Sequence, residues 1–575
     1  MNSLGYMKLN AGIASLLLAA NIMSFSITAE AAQKTATKIE HVIVIVGENR
    51  SFDNLFATYQ PQHGQSIANL LSREIIKEDG TPGKNFHTAL QYIASNKGEY
   101  SPTPARVGTY KTLPQPYAPG AVGQRRDVPD VRFPADLPNG PFQISKYVAY
   151  GAHTGDPVHR FFQMWQQMDG GKNDLFVWTA QTVGVGPSNG KTPLAAGNTY
   201  QGAVSMGFYN MATGDASYLR ELADQYAISD NYHQSIIGGT TANYLALTTG
   251  DVTFYTQDGK PAKPAANLIE NPDAQPETNN WYTEDGYKGG SYVNCANRSN
   301  PGVKGIYTYL ETLPYKVFRN GNCNPDTYYM VNNMEPAYSP SGKPVKLTPD
   351  ILPPQTIPTV GDALSAKGVT WRWYSGGRND GVHHDKEYCA MCDTHLYFPS
   401  IMLGKGKENL LDLQQFYLDA SKDETSFPSV SFIDPYDSIS GHPGYAMETG
   451  FDELVHGVVD KIKSNPALWK KTAILVTFDE SGGYYDSGYI QTVDFFGDGP
   501  RVPLIVISPQ AKKGYVDHTY YDHASILKFI EHNWHVPPLS ARSRDNLPNP
   551  QVDVSSPYVP LNRPAIGDLT NLFQE

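Results

Sequence analysis

The chain has 575 residues, of which 40% are hydrophobic and 11% aromatic, and its formal net charge is -12 at pH 7. A hydrophobic fraction of this size can fill a substantial core, so the composition excludes a globally disordered protein. The negative charge excludes a general nucleic-acid binder, because such a surface cannot neutralise a long phosphate backbone. An acidic chain that handles an anion needs local positive charge, which a bound metal ion would supply.

The N-terminal segment has the pattern of a secretory signal peptide. Lys8 supplies a basic region, residues 13–20 form a mostly apolar core, and the Ala-Glu-Ala sequence ending at Ala31 fits a cleavage site. A membrane anchor needs about 20 apolar residues, and Asn21 interrupts this run too early. We therefore expect residues 1–31 to be a signal peptide and the mature protein to be periplasmic or secreted, without stable insertion in a membrane.

The four cysteines fit an oxidising compartment. Cys295 and Cys323 flank a polar loop, and Cys389 and Cys392 form a C-x-x-C in another polar loop. The sequence alone allows three pairings. We favour two local disulfides over a zinc knuckle or a redox motif, because neither pair has a zinc-finger context and the C-x-x-C does not open a helix.

Apolar runs and amphipathic segments predict the secondary structure. In chain order, we expect a strand at 39–46, a helix at 157–168 capped by Asp156, a helical segment at 244–248, strands at 369–374 and 430–433, a helix at 451–463, strands at 473–478 and 502–507, and a helix at 524–534. The strand runs are almost continuously apolar, which is typical of buried parallel strands. The predicted fold class is therefore α/β, with a largely parallel central sheet flanked by helices.

Two long regions interrupt this alternation. Residues 86–150 and 252–350 are rich in Pro, Gly, Asn and Tyr and show little periodicity. Loops this long inside a compact domain are usually functional. We expect a single domain at 38–575, in which both regions are insertions that cover one active site.

Two polar pairs follow predicted strands. Glu48-Asn49 follows the first strand, and Asp479-Glu480 follows the strand at 473–478. Ligands of open α/β sheets bind beyond the carboxyl ends of strands, and these oxygens suit a divalent cation. Adjacent buried carboxylates also repel each other unless a cation lies between them. The alternatives are a simple turn for the first pair and a solvated loop for the second.

A hydroxyl nucleophile is predicted in the segment Gly238-Gly239-Thr240-Thr241-Ala242-Asn243. The glycines permit a close approach, and a helix that starts here would place its positive dipole end at the hydroxyl. Both features, and a nearby metal ion, favour an alkoxide. The alternative is that either threonine only caps the helix.

Three histidines are candidates for phosphate binding or proton transfer: His159, His395 and His442. Each can bind a phosphoryl oxygen or protonate a leaving group. A single histidine among 15 is more often structural. Lys172 and the pairs Asp517-His518 and Asp522-His523 are weaker candidates.

The order of these segments resembles that of the acid phosphatase and phospholipase C superfamily of bacterial phosphoesterases. The similar segments lie between Lys38 and Leu539, with the two insertions poorly covered: Glu48 to Asp53, His159 with 170–174, 239–243, His442-Pro443, 479–483 and 506–519. The two-residue pieces are unspecific alone, whereas the ordered set is highly specific.

The resemblance implies an alkaline-phosphatase-like core that holds one divalent ion. By motif position, the implied metal ligands are Glu48, Asn49, Thr240, Asp479 and Glu480, with Thr240 also the nucleophile. Choosing Thr240 over Thr241 rests on the motif alone. Oxygen ligands fit calcium, magnesium, manganese or zinc.

The same resemblance implies that His159, His395 and His442 are phosphate-binding or acid–base groups. At His395 the chain departs from the family, which commonly has two adjacent histidines where this chain has Thr394-His395. The pair His383-His384 lies nearby and is an alternative match.

The function implied is that of an exported, metal-dependent phosphomonoesterase, an acid phosphatase acting through a phosphothreonine. The alternative is a phospholipase C, with a phospholipid as substrate instead of a small phosphate ester. The Gly-Gly-Thr-Thr-Ala-Asn segment favours the monoesterase, because family phospholipases often have Gly-Pro-Thr-Asp-Pro-Asn there. A catalytically silent exported binding protein with the same fold is the second alternative.

Overall fold

The computed structural model describes residues 34–95, 99–118, 128–182, 201–272, 290–318 and 323–574. The expected signal peptide at 1–31 lies outside these residues. Within the described ranges, no helix combines the length and apolarity that a membrane crossing requires. The residues from Thr35 to Glu575 form one compact unit.

An eight-stranded sheet forms the centre of this unit. In chain order its strands are β1 (His41–Gly47), β2 (Ala227–Ser229), β3 (Trp371–Ser375), β4 (Leu410–Asp412), β5 (Val430–Asp434), β6 (Thr472–Phe478), β7 (Leu504–Ile507) and β8 (Tyr515–Asp517). Across the sheet the order is β4-β3-β5-β1-β6-β7-β2-β8. Neighbouring strands are parallel except where β7 pairs with β6 and β2. The predicted α/β fold with a largely parallel sheet is confirmed.

The central strands are buried on both faces. Every residue of β1, β5 and β6 is buried, as the continuous apolar runs predict for parallel strands covered by helices. Val42 of β1 lies opposite Val430 of β5 and Ala473 of β6. The pairing of β1 with β6 ends at Gly47 and Phe478, so the two loops that follow leave the sheet side by side.

The five predicted strands are present, with ends that differ from the expectation by one or two residues. The sequence did not indicate β2, β4 and β8. Each has three residues, too few to show a periodicity of their own.

Helices flank the sheet and fill the connections. They are α1 (Phe52–Phe56), α2 (Phe161–Met168), α3 (Phe176–Thr182), α4 (Ser217–Gln225), α5 (Thr240–Thr249), α6 (Val303–Leu310), α7 (Val360–Lys367), α8 (Pro399–Met402), α9 (Leu413–Asp419), α10 (Glu448–Lys463), α11 (Pro466–Trp469) and α12 (Ala524–Trp534). The helices expected at 451–463 and 524–534 are confirmed as α10 and α12. The segment expected at 244–248 belongs to α5, which begins at Thr240.

The expected helix start at Pro157 is wrong. Helix α2 begins at Phe161, with Arg160 in extended conformation before it and no cap at Asp156. The N–H of Val158 donates instead to Oε1 of Gln201, 3.1 Å away, and the N–H of Phe161 donates to Oδ1 of Asn332 at 3.0 Å. These tertiary hydrogen bonds hold the segment extended, so His159 lies before the helix.

The two loop-rich regions contain short strand pairs. The first region has Tyr92–Ala94 paired with Arg106–Thr109, and Phe142–Gln143 paired with Gly207–Phe208. The second has Thr256–Gln257 paired with Lys260–Pro261, and Tyr292–Val293 paired with Tyr329–Met330. Tyr232–His233 pairs with Tyr521–Asp522. The second region reaches the start of α5, where the N–H of Gly239 donates to the carbonyl of Val331 at 3.4 Å.

Candidate active site

The loops after β1 and β6 are bound to each other. The N–H of Asn49 donates to Oδ1 of Asp479 at 3.1 Å, and the N–H of Arg50 donates to the carbonyl of Glu480 at 3.0 Å. Asn49 has a φ of 66°, which asparagine tolerates better than most residues. Gly482 packs so closely that a Cβ there would lie 2.6 Å from the carbonyl oxygen of Asn49. The two polar pairs therefore form one cluster, Glu48, Asn49, Asp479 and Glu480, which we call the carboxylate cluster.

Burial gives this cluster unusual electrostatics. Glu48 is 3% exposed, Asp479 1% and Glu480 0%. Burial first, and then the charge of Asp479, raises the pKa of Glu48 and of Glu480 well above the usual value. Burial raises the pKa of Asp479 to about 7. Within the described residues, no arginine or lysine is among the largest causes of these three pKa shifts.

Several oxygens of the cluster have no hydrogen-bond partner within the described residues. They are Oδ1 of Asn49, Oδ2 of Asp479 and both carboxyl oxygens of Glu480. Leaving buried polar atoms unpaired costs about 1–3 kcal/mol each, and more for charged groups. Hard oxygen donors in this state fit a divalent cation.

Thr240 is the first residue of α5 and faces this cluster. It follows the cap residue Gly239, and its hydroxyl lies near enough to the Asp479 carboxylate to lower the pKa of that group. A hydroxyl at the first turn of a ten-residue helix meets the positive end of the helix dipole. The position therefore favours a negatively charged oxygen.

Asn243 fixes the loop that carries Thr240. Its Nδ2 donates to the carbonyls of Ile236, Gly238 and Gly239 at 3.0, 3.1 and 3.3 Å, and its Oδ1 accepts from the N–H of Ile236 at 2.9 Å. One side chain thus makes hydrogen bonds with four backbone groups of the turn that precedes Thr240.

Thr241, unlike Thr240, makes its hydrogen bonds with Asn333 and with the backbone of Met334. Its hydroxyl lies 3.3 Å from both the N and the O of Met334, and its N–H donates to Oδ1 of Asn333 at 2.9 Å. This geometry separates the two threonines, which the sequence did not.

His159 and His442 both present Nε2 to the cluster. Nδ1 of His159 lies 2.7 Å from the carbonyl of Pro157, and Nδ1 of His442 lies 2.5 Å from that of Pro443. Because a carbonyl only accepts, Nδ1 carries the proton in each neutral ring. Nε2 of His159 then lies 3.6 Å from Oε1 of Glu480, and Nε2 of His442 lies 4.0 Å from Oε2 of Glu48.

His395 lies outside the cluster, against two tryptophans. Its ring stacks on Trp371 with centroids 4.8 Å apart and meets the edge of Trp373 at 5.3 Å. Burial lowers its pKa to about 3. Within the described residues its polar contact is with Thr394, at 3.3 Å, and none joins it to the carboxylate cluster.

The alternative pair does not reach the cluster either. His383 and His384 are exposed, and Nδ1 of His383 lies 3.1 Å from Oδ2 of Asp380. Lys172 is also outside, since it pairs with Asp169 at 2.7 Å with 53% of its side chain exposed.

Three further residues support the site, and of these only His523 was among the weaker candidates from the sequence. Arg50 is 2% exposed, pairs with Glu448 and donates to the carbonyl of Gly441, which holds the loop of His442. His523 contacts the carbonyl of Asp479 through Nε2 at 2.5 Å. Asn333 holds the start of α5. The motif around Arg50 was visible in the sequence, whereas nothing in it linked Asn333 to the nucleophile.

The disulfides are Cys295–Cys323 and Cys389–Cys392, so the prediction of two local disulfides is confirmed. The second one packs against the cluster, because Sγ of Cys392 lies 3.2 Å from Oε1 of Glu48. A disulfide sulfur has no proton, so this contact positions the carboxylate without donating to it.

The sequence model of the phosphoesterase family matches residues 39–537. The chain belongs to the phosphoesterase family. It is a phosphoric ester hydrolase, in agreement with the family and with relatives that are phospholipases C.

Two such relatives match along most of the chain. Phospholipase C B of Mycobacterium tuberculosis is 24% identical over 538 residues, which cover 87% of this chain and 74% of that protein. The non-hemolytic phospholipase C of Burkholderia pseudomallei is 24% identical over 609 residues, covering 98% of this chain and 63% of that protein.

Among solved structures, a Vibrio parahaemolyticus protein of the alkaline phosphatase superfamily is similar at 12% identity and a TM-score of 0.28. The match covers 57% of this chain and 62% of that one. The α/β assignment rests on the sheet itself.

Proposed function

We propose that the chain is an exported, metal-dependent phosphomonoesterase that hydrolyses small phosphate esters through a phosphothreonine on Thr240. One observation carries the proposal: Thr240, at a helix start, faces a buried carboxylate cluster whose oxygens lack hydrogen-bond partners within the described residues. The two disulfides are consistent with export to an oxidising compartment.

The residues of the cluster fit a divalent ion. Glu48, Asn49, Asp479 and Glu480 supply hard oxygens, and the orphaned oxygens of the last three are those expected of metal ligands. Together with Oγ1 of Thr240 they would hold calcium, magnesium, manganese or zinc. When bound, such an ion lowers the pKa of the Thr240 hydroxyl and screens the charge of the phosphate.

The chain's own groups then carry out two phosphoryl transfers, the first to Thr240 and the second to water. Oγ1 of Thr240, already deprotonated to the alkoxide, attacks phosphorus in line. The bond from phosphorus to the substrate's ester oxygen breaks, and a protonated Nε2 of the His159–His442 pair gives its proton to the departing alcohol. The now neutral imidazole takes a proton from water, and the resulting hydroxide attacks phosphorus. The P–Oγ1 bond then breaks, which frees phosphate and returns Thr240 as the alkoxide. Backbone carbonyls on Nδ1 keep both rings oriented with Nε2 inward. A role for His395 stays a prediction from the resemblance.

Phospholipase C activity is the second candidate, favoured by the names of the relatives. Against it stands the Gly-Gly-Thr-Thr-Ala-Asn segment, in which Thr241 is committed to backbone contacts with Met334. The same core would act on a phosphodiester, so only the substrate separates the two candidates.

The test compares p-nitrophenyl phosphate, its phosphocholine ester and phosphatidylcholine, from about pH 4 to 9. A monoesterase turns over the first fastest, and a phospholipase C turns over the last two fastest. A binding protein turns over none of them.

The nucleophile is tested by Thr240→Ala, which should lower turnover about 10⁴-fold or more with folding intact. Thr241→Ser is the matched control, because it keeps the hydroxyl that contacts Met334. Trapped phosphate on Thr240 in an acid-quenched sample would support the intermediate directly. Normal turnover by the Thr240→Ala variant would refute the assignment.

A further inference from the structure

A second set of polar side chains lies away from the carboxylate cluster. Ser66 is on an exposed loop after α1, Asp230 directly follows β2, and His518 directly follows β8. Because β2 and β8 are adjacent and parallel, their carboxyl ends bring Asp230 and His518 together. The loop with Ser66 packs over both.

The three side chains form a hydrogen-bonded chain. Oγ of Ser66 lies 3.0 Å from Nε2 of His518, and Nδ1 of His518 lies 2.7 Å from Oδ1 of Asp230. A carboxylate only accepts, so Nδ1 carries a proton and Nε2 of the neutral ring accepts from the serine hydroxyl. This is the order of contacts in which a serine is activated by a histidine that an acid orients.

The surroundings of Asp230 fix its carboxylate in position beside His518. It is 0% exposed, and its other oxygen accepts from the N–H of Ala68 at 2.7 Å and from the hydroxyl of Tyr558 at 2.8 Å. The bond to Ala68 ties the carboxylate to the loop of Ser66. Burial acts to lower the pKa of His518, but Asp230 outweighs it and the pKa is raised.

Backbone donors are available beside the serine. The N–H groups of Ser66 and Ile67 make no hydrogen bond within the ranges that the structure describes. Adjacent N–H groups at a nucleophile are suited to stabilise the oxyanion of a tetrahedral acyl intermediate. The nucleophile, the base and the orienting acid are thus linked by hydrogen bonds, with two backbone N–H groups beside the serine.

We propose that Ser66 and His518, positioned by Asp230, form a second catalytic site that hydrolyses small carboxylic esters. Oγ of Ser66 attacks the ester carbonyl as its proton passes to Nε2 of His518. That proton then goes to the departing alcohol as the C–O bond breaks, leaving an acyl-serine. Water attacks the acyl group, gives its proton to His518, and the serine leaves with that proton as the free carboxylic acid forms.

The site is independent of the carboxylate cluster. Asp230 follows β2, which is two strands away from β6, and His518 follows β8, which is three strands away. With neighbouring strands about 4.8 Å apart, the separation is on the order of 10 Å or more. The ester reaction also needs no metal ion, so the two activities respond differently to a chelator.

The experiment measures p-nitrophenyl acetate hydrolysis by the wild-type protein in EDTA, compared with Ser66→Ala and Ser555→Ala. Ser555 is the matched control, because it is exposed and bonds Asp553 with no histidine. We expect Ser66→Ala to lower the rate about 10²-fold and Ser555→Ala to leave it unchanged. Thr240→Ala should keep the ester activity in full.

A covalent readout makes the result decisive. A fluorophosphonate probe should label the wild-type protein at Ser66, as located by peptide mass spectrometry, and should not label Ser66→Ala. Equal acetate hydrolysis by wild type and Ser66→Ala, or labelling at another residue, would overturn the proposal. Ser66→Ala should retain full p-nitrophenyl phosphate turnover, so failure here is distinguishable from failure of the phosphoesterase assignment.

Discussion

Two buried acidic regions of this molecule differ in what neutralises them. Around Arg501, Asp486 receives a bidentate contact at 2.8 and 3.0 Å, and Asp53 lies 3.3 Å from the same guanidinium. Burial acts to raise the pKa of Asp486, but Arg501 reverses this and the pKa is lowered. In the carboxylate cluster, burial and the charges of Asp479 and Asp156 raise the pKa of Glu480.

The difference is whether a cation of the protein itself pairs with the buried carboxylates. Buried charges persist in a fold when they are paired or bind a metal. Arg501 pairs with both Asp486 and Asp53, whereas Oδ2 of Asp479 and both carboxyl oxygens of Glu480 have no hydrogen-bond partner within the described residues. Buried carboxylates that lack an internal cation are therefore candidates for binding one.

The largest expected effect is a loss of stability when Arg501 is replaced. Arg501→Met leaves Asp53 and Asp486 buried without their cation, so the free energy of unfolding should fall by about 3–5 kcal/mol. Urea unfolding monitored by circular dichroism measures this. A variant as stable as the wild type would remove the contrast between the two regions.

Substitution in the carboxylate cluster should act in the opposite direction on stability. Asp479→Asn removes a buried carboxylate whose pKa is raised to about 7, so in EDTA near pH 8 the free energy of unfolding should rise by about 1 kcal/mol. Divalent-ion affinity should fall at least about 10²-fold. Calorimetric titration measures the affinity, and unchanged binding would contradict the ligand assignment.

A smaller loss of metal affinity is expected when the disulfide that contacts Glu48 is removed. The double variant Cys389→Ala, Cys392→Ala removes the sulfur 3.2 Å from Oε1 of Glu48, so metal affinity should fall about tenfold. The matched control is the Cys295→Ala, Cys323→Ala variant, whose disulfide is separate from the cluster. Equal losses in both would show a general effect of disulfide removal.

The smallest effect concerns Glu531, whose pKa burial and Asp545 raise to about 10. A raised carboxyl pKa contributes stability that is complete below its unfolded value, about 4.3, and lost as the pH rises through the folded value. Glu531→Gln should therefore match the wild type near pH 4 and be the more stable of the two near pH 8. Thermal unfolding at the two pH values checks this, and an equal difference at both would exclude Glu531 as the titrating group.

Much of the site could be predicted because its parts are local. Glu48 and Asp479 directly follow long apolar runs, and strands of one parallel sheet end at one edge. Thr240 lies between two glycines and a helix start. Each signal is contained within a few residues of sequence.

The remainder depends on contacts between distant segments. Asn333 reaches Thr241 from 92 residues away, and the start of α2 is displaced by Gln201 and Asn332. His395 and His442 look alike in sequence, but two tryptophans enclose one and the other faces Asn49 at 2.7 Å. Local patterns carry no information about such neighbours.

The sequence by itself determined the five long strands, the α/β class, the local disulfides and the family, because apolar periodicity, loop length and motif order are properties of contiguous residues. Only the tertiary structure decided which threonine faces the carboxylates, which histidines present Nε2 to them, and that Ser66, Asp230 and His518 meet. The reason is physical: burial and hydrogen-bond partners are set by segments that come together only when the sheet assembles.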